Sequence, residues 1–306
     1  MVALDGHITT VQTIVLIPEK WCYKPAEGSF AVVKKAIKRS GKAHSGDFVE
    51  SLARGIDVIK AFSPNKMQLT VSDVANATSL ARPTARRLLL TLETLGYVRL
   101  IGNNYSLTPK TLELGTAYVS SQGMWDVVQP HLESLVAKTG ESSSMSELDG
   151  SDIVYTARVP VAKIIALSVH IGTRFPATST SMGMVLLADL TAAQLDRALK
   201  TPPTSTVIPR IKPTHKQVVI SLEKIRRQGW ALSDEALSFG IRSVAAPVRD
   251  IEGKTIAAIN VTVNAAETSL KTLTEKYLPM LLQTASNITQ DFVSLGLLPT
   301  TQPLSK

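Results

Sequence analysis

At 306 residues, 44% apolar and 19% charged, the chain is long enough for two domains of ordinary size and has a globular composition. No apolar run approaches the roughly 20 residues that cross a bilayer. The opening twenty residues lack the basic-then-apolar order of a secretory signal, and the single cysteine, Cys22, excludes an internal disulfide and a thiolate metal cage. A cytoplasmic setting is therefore expected.

The net charge of +8 is unevenly placed. Residues 1–110 carry 15 Lys+Arg against 8 Asp+Glu, and residues 111–306 carry 18 against 17. A basic first third beside a near-neutral remainder is the footprint of a phosphate-binding part joined to one with another task, although a basic segment can also be only a solubilising tail.

Residues 1–48 show no period, and their run Lys34, Lys35, Lys38, Arg39, Lys42 reads as a disordered basic arm. Pattern begins at Glu50, where Leu52, Ile56, Ile59 and Phe62 fall at helical spacing before Pro64. A short helix over Ser72–Thr78 follows, capped by Ser72 or Thr70, and breaks at Ser79-Leu80. A second helix starts near Arg82 with Pro83 in its first turn. It carries the stripe Ala85, Leu88, Leu89, Leu92, Leu95 and ends at Gly96. Its other face holds Arg82, Thr84, Arg86, Arg87 and Thr91, mostly in the N-terminal half, where a recognition helix meets base edges and phosphates. A basic helix facing solvent in any small bundle would show the same polarity. The strand–turn–strand pattern of Tyr97–Ile101, Gly102-Asn103-Asn104 and Tyr105–Leu107 supplies what the helices lack, a wing, with Arg99 on it to meet a phosphate.

Thr108-Pro109 opens a linking helix that runs past Gly123 into MWDVVQPHLESLVAKTG. Its apolar face Leu132, Leu135, Val136 suits either a twin subunit or the next domain. From Ser142 the rhythm becomes that of strands: SSSMSELDG, SDIVYTARVP and KIIALSVHIG. A helix then grows out of ATSTSMGMVLLADL, and helices follow over Thr191–Lys200 and Thr214–Gly229. Strands GWALSDEAL, IRSVAAPVRD and TIAAINVTVN precede a final amphipathic helix from about Ser269 to Phe292. This order is α+β with a largely antiparallel sheet.

The segments SLARGIDVIKAF, ARPTARRLLLTLETLGYV, YSLTPKTLELGTAYVSS, DIVYTARVP, IGTRFPATSTSMGMVLLA and GIRSVAAPVRD…GKTIAAINVTVNA resemble the isocitrate lyase regulator (IclR) family over about Glu50 to Ser294. RVP and TSMG resemble the subgroup governing aromatic-acid breakdown through the β-ketoadipate pathway, the PcaR, PcaU and PobR type. The resemblance implies a winged helix-turn-helix over 49–110, a linker helix over 111–124 and a GAF-like effector-binding domain over 125–294, which leaves the basic arm over 1–48 and a tail over 295–306 outside it. It implies a ligand-responsive regulator of aromatic-acid catabolism, acting as a homodimer or homotetramer on an inverted-repeat operator of double-stranded DNA, with an aromatic acid or β-ketoadipate as effector. The change between states is expected across Gly115–Gly123. An IclR-type regulator of another small-acid pathway, such as glyoxylate or acetate, is the alternative, and an architectural DNA binder without a ligand a further one.

Carried onto matching positions, the family's pocket falls on Ile164 and Leu167 as walls, Ser181, Met182 and Gly183 at a helix start, and Ser233, Asp234, Ile241, Ser243, Asn260 and Thr262. A helix beginning near Thr180 offers free amides and a positive dipole end to a carboxylate, while the hydroxyls and Asn260 donate without a fixed charge. On strands such hydroxyls also serve neighbouring backbone. Arg158, Arg174, Arg242 and His170 are the candidates for a charged grip on the carboxylate, Arg242 foremost. Ala236 stands where the family commonly has glutamate, so the pocket's lid should differ in shape. An enzyme is not expected: the five histidines form no HExxH, there is no P-loop or GxGxxG, and TSTSMG lacks the leading glycine of a nucleophile elbow. No cofactor or metal is expected.

Overall fold

The structure, a computed structural model, describes residues 47–63, 65–122, 124–163 and 167–295. Nearly all of the expected arm, the tail beyond Leu295, Gly123 of the expected hinge and Ile164 of the expected pocket wall lie outside the described residues. The chain divides between Ser106 and Leu107 into two compact units.

The first unit holds helices α1 (Glu50–Lys60), α2 (Val71–Thr78) and α3 (Arg82–Thr94) and a hairpin of β1 (Val98–Ile101) and β2 (Asn104–Leu107). Thr70, not Ser72, starts α2. Its hydroxyl accepts from the Asp73 amide at 3.2 Å, and the Asp73 carboxylate accepts from the Thr70 amide at 2.9 Å, a reciprocal box that satisfies two orphan donors. Ser79, at φ 55°, ends the helix in the left-handed region and makes the tight turn into α3. On α3, Ala85, Leu89 and Leu92 are buried, whereas Leu95 at the end of the expected stripe stands 52% exposed. The stripe expected of α1 is split: Leu52 and Ile56 are exposed, Ile59 and Phe62 are half-buried, and the fully buried residue is Val58. The wing is pinned by a backbone pair that the sequence did not suggest, with the amides of Leu69 and Tyr105 each donating to the other's carbonyl at 3.0 and 2.8 Å.

The second unit is built on a six-stranded antiparallel sheet. Its strands are β3 (Ser142–Asp149), β4 (Asp152–Val159), β5 (Arg174–Pro176), β6 (Ala231–Asp234), β7 (Ile241–Arg249) and β8 (Thr255–Asn264), in the order β5-β4-β3-β8-β7-β6. Alternation splits the sheet into two faces. Met145, Val244, Ala246, Ile259, Val261 and Val263 pack against α5 (Met124–Thr139) and α10 (Leu278–Leu295), joining Leu132, Leu135, Ile288 and Phe292 in one core. Leu132 and Leu135 are thus spent on their own domain; full burial of each such side chain stabilises by ~1.5–3 kcal/mol. The opposite face presents Ala231, Ala245 and Ala258 to α6 (Ser181–Ala188), which is backed by α8 (His215–Gln228), with α7 (Ala192–Lys200) alongside. Thr191 and Thr214 are the expected starts of α7 and α8, each in a capping box with a glutamine three residues on, and Gly229 closes α8 at φ 79°.

The strand expected through KIIALSVHIG is absent from its described part, residues 163 and 167–172; a three-residue β5 forms beyond it. A turn closed from the Thr173 amide to the His170 carbonyl at 3.0 Å, with Gly172 at φ 83°, breaks the run. β6 stops early for the same kind of reason, because Glu235 adopts φ 52°.

The linking helix α4 (Leu112–Gln122) meets β3 through Tyr118, whose hydroxyl donates to Glu147 Oε2 at 2.6 Å. Burial holds the Glu147 carboxyl above the ordinary carboxylate range, with the Tyr118 bond acting in the opposite sense. Because the folded pKa is raised, the folded state binds more protons than the unfolded chain between the two values. Stability therefore falls as pH rises from the ordinary carboxylate value through the raised one. Glu147→Gln, which keeps an acceptor for Tyr118, is expected to flatten that segment of the melting-temperature profile; an unchanged slope would place its origin elsewhere.

Candidate functional site

In the first unit, α3 presents Arg82 and Arg86 one turn apart, with Arg87 beside them, all exposed, and Thr84 half-buried. The first turn of α3 holds Pro83 and no acidic side chain. Arg99 is exposed on β1 and reaches Ser106 on β2, Nε to Oγ 3.4 Å. Among the described residues none of these four arginines is in an ion pair. The arrangement is a cationic ridge on a helix with a cation on the adjoining wing, what a duplex demands of a winged helix-turn-helix.

In the second unit a cavity opens between the alanine-lined sheet face and the start of α6. Of the pocket positions expected from the sequence, Leu167, Ser181, Met182, Ser233, Ile241, Ser243, Asn260 and Thr262 line it. Gly183 and Asp234 do not. Gly183 faces the turn Ala177–Ser179, and a Cβ there would fall on the Ala177 carbonyl oxygen and Cα. Asp234 is opposite Arg242 across β6 and β7 and accepts from its guanidinium. The remaining lining residues are Tyr155, Arg158, Val169, Phe175, Ser179, Thr180 and Leu237. Of these the sequence singles out Arg158 as a charged candidate and Thr180 as the helix start.

Strand register explains the polar lining. Ser233, Ser243, Thr262 and Ser142 are successive partners across β6, β7, β8 and β3. One rung along the same face, Ala245, Asn260, Ser144 and Arg158 are partners across β7, β8, β3 and β4. Ser181 and Ser243 share a hydrogen bond at 2.7 Å. Asn260 takes the Ser144 amide on Oδ1 at 3.0 Å and gives Nδ2 to Thr262 Oγ1 at 2.9 Å. Thr180 caps α6, its hydroxyl accepting from the Gly183 amide at 3.1 Å.

The charged candidates separate. Arg242 is held by Asp234 and by the carbonyls of Ala265 and Thr268. Arg174 pairs with Asp149 at 2.8 Å and lies 3.6 Å from buried Asp152. His170 bonds Ser168. Arg158 alone of the four lines the cavity, its Nη1 donating to the neutral Ser144 hydroxyl at 3.0 Å, and among the described residues it is in no ion pair. Burial pulls its pKa down, which Tyr155 opposes; the Tyr155 hydroxyl is pushed up to about 12 by burial, against the pull of Arg158. Next to the lining residue Leu237, Glu235 Oε2 accepts from the Gly240 amide at 2.9 Å, and the Ala236 carbonyl accepts from the Ile211 amide.

A winged helix-turn-helix with a free cationic ridge, joined to a sheet domain with a polar-lined cavity, defines a ligand-responsive DNA-binding transcription regulator. The IclR helix-turn-helix domain matches residues 51–101 and the bacterial transcriptional regulator IclR C-terminal domain residues 116–290. The chain belongs to the IclR family. It is 35% identical over 270 residues to the Pca regulon regulatory protein of Pseudomonas putida, covering 87% of this chain and 92% of that one. It is 30% identical over 254 residues to the p-hydroxybenzoate hydroxylase transcriptional activator of Acinetobacter baylyi, covering 81% and 94%. Among solved structures, a transcriptional regulator from Rhodococcus sp. RHA1, RHA06195, matches with a TM-score of 0.72 at 46% identity, over 81% of this chain and all of that one. No helix among the described residues is long and apolar enough to cross a membrane.

Proposed function

We propose that the chain regulates genes of aromatic-acid catabolism, with an organic acid effector seated in the cavity of the second unit and its carboxylate on Arg158. The observation that carries this reading is a guanidinium with no counter-ion among the described residues, in a cavity whose other described lining residues are neutral. A half-buried cation in that state favours an anion, and a planar fork suits a carboxylate. The likeness to the Pca regulon and p-hydroxybenzoate hydroxylase regulators supports the substrate class. The cavity measures about 40 Å³, less than a substituted benzene ring needs, so its side chains must move apart when the effector enters.

On the DNA side, Arg82, Thr84 and Arg86 take base edges, and Arg87 and Arg99 take phosphates. Two copies of the chain then read an inverted repeat. Effector binding shifts transcription to the extent that it favours one arrangement of the two DNA-binding units over the other.

The test is a thermal-shift panel on the full chain with protocatechuate, 4-hydroxybenzoate and β-ketoadipate. At least one should raise the melting temperature in step with its concentration, and Arg158→Met should abolish that rise. Silence across the panel would remove the aromatic-acid reading while leaving the DNA-binding half in place.

A further inference from the structure

We infer that the cavity selects an effector with a single negative charge: one carboxylate at Arg158, a ring-sized apolar body, and a neutral hydroxyl at the far end. Dicarboxylates are excluded. This rests on the reading of the cavity as an organic-acid site and narrows its ligand class.

The argument starts from where the polar groups sit on the sheet. The guanidinium of Arg158 is anchored over β3 by Ser144. The Ser181–Ser243 pair lies over β7, two strands further across and one rung along. With strands ~4.8 Å apart and residues ~3.4 Å apart along each, the two anchor positions are roughly 12 Å from one another. That span takes a carboxylate, one six-membered ring and a para substituent, with a hydrogen bond at each end. Met182, Phe175 and Leu167 supply apolar walls.

The two ends differ in kind. At the β4 end stands a full positive charge with its fork uncommitted to any acid. At the β7 end stand two hydroxyls, 1% and 8% exposed, already bonded to each other, so that one donor and some lone pairs remain for a ligand. Asn260 is neutral, and its amide is already bonded to Ser144 and Thr262. The nearest positive potential is the start of α6, about half an elementary charge in a long helix. Here the helix has eight residues, and its third amide is taken by the Thr180 hydroxyl. A phenol or alcohol can both donate to and accept from that pair. A second carboxylate would be buried there without a counter-ion, which is the costly state for an ion.

The experiment is isothermal titration of the full-length chain at pH 7.5 with three ligands of one shape: 4-hydroxybenzoate, its neutral amide 4-hydroxybenzamide, and the dianion terephthalate. The acid should bind at least ~10-fold more tightly than the amide and at least ~100-fold more tightly than terephthalate. In Arg158→Gln the acid-to-amide ratio should collapse toward one; should this variant not fold, the wild-type ratios decide. Terephthalate binding within tenfold of the hydroxybenzoate overturns the single-charge proposal and leaves the organic-acid reading standing. An amide as tight as the acid, or a ratio kept by Arg158→Gln, also overturns it by removing the role of Arg158. Silence from all three ligands overturns the proposal and leaves the aromatic-acid reading to the protocatechuate and β-ketoadipate arms of the thermal-shift panel.

Discussion

Gly183→Ala is expected to destabilise the second unit by at least about 3 kcal/mol, although it adds one methyl group to a helix and alanine is the better helix former. The reason is a backbone in the way. The turn Ala177–Ser179 lies against the first turn of α6, and the new Cβ would sit within 2.6 Å of the Ala177 carbonyl carbon and closer still to its neighbours. A flexible side chain could move aside, but a peptide group cannot without dragging Phe175 and Ser179 with it, both of which line the cavity. For a unit of this size the loss corresponds to a fall in melting temperature of roughly 6–12 °C, readable by calorimetry, with effector binding weakened in parallel. Gly115→Ala is the control. A Cβ at that exposed position on α4 meets nothing within 4 Å, so the substitution should stabilise by ~0.5–1 kcal/mol. Equal effects at both glycines would show that the contact with Ala177 is not what Gly183 is for.

The second large effect is expected on DNA. Arg86→Ala should cost ~1–3 kcal/mol of operator binding, about 5- to 150-fold, and relax base preference at the position it reads. Arg99→Ala, on the wing, should weaken binding alike on specific and random sequence and reduce the salt slope by about one. The contrast between the two variants carries the information, since both remove one exposed cation. If operator affinity and base preference survive Arg86→Ala intact, α3 is not the helix in the groove.

Features with a local cause were legible in the sequence. Thr70, Thr191 and Thr214 cap their helices because a hydroxyl followed three residues later by Asp or Gln satisfies orphan amides without help from the rest of the chain. The wing and the antiparallel strands β3, β4, β7 and β8 followed from alternation and turn residues. What stayed hidden depends on partners far along the chain. Leu52 and Ile56 have the spacing of a buried face, yet α1 is rotated so that Val58 faces in. The ranking of the arginines failed for a similar reason. Arg242 looked available, but the β6–β7 register sets Asp234 directly opposite it. A cross-strand Asp–Arg pair flanking the short connection between β6 and β7 was the signal that could have found this. Arg158 was harder to single out, because its lack of a partner becomes visible only when every neighbouring strand is in place. Gly183 was expected as a ligand contact from its place in TSMG, and its position instead reflects a close backbone approach that no single sequence displays.

The strand order has a consequence for how the domain is made. β5, β4 and β3 come from one stretch of chain and β6, β7 and β8 from another, and the two blocks meet only along β3 and β8. The bond from the Ser144 amide to Asn260 across that seam joins residues 116 positions apart. The cavity straddles the seam, so neither block can form it alone, and until β8 emerges from the ribosome β3 presents an open edge able to pair with another chain. Such a high-order topology folds slowly. A ligand that touches both blocks would then serve as a clasp for newly made protein as well as a signal to finished protein, and the yield of soluble chain in cells should rise when the effector is supplied during synthesis.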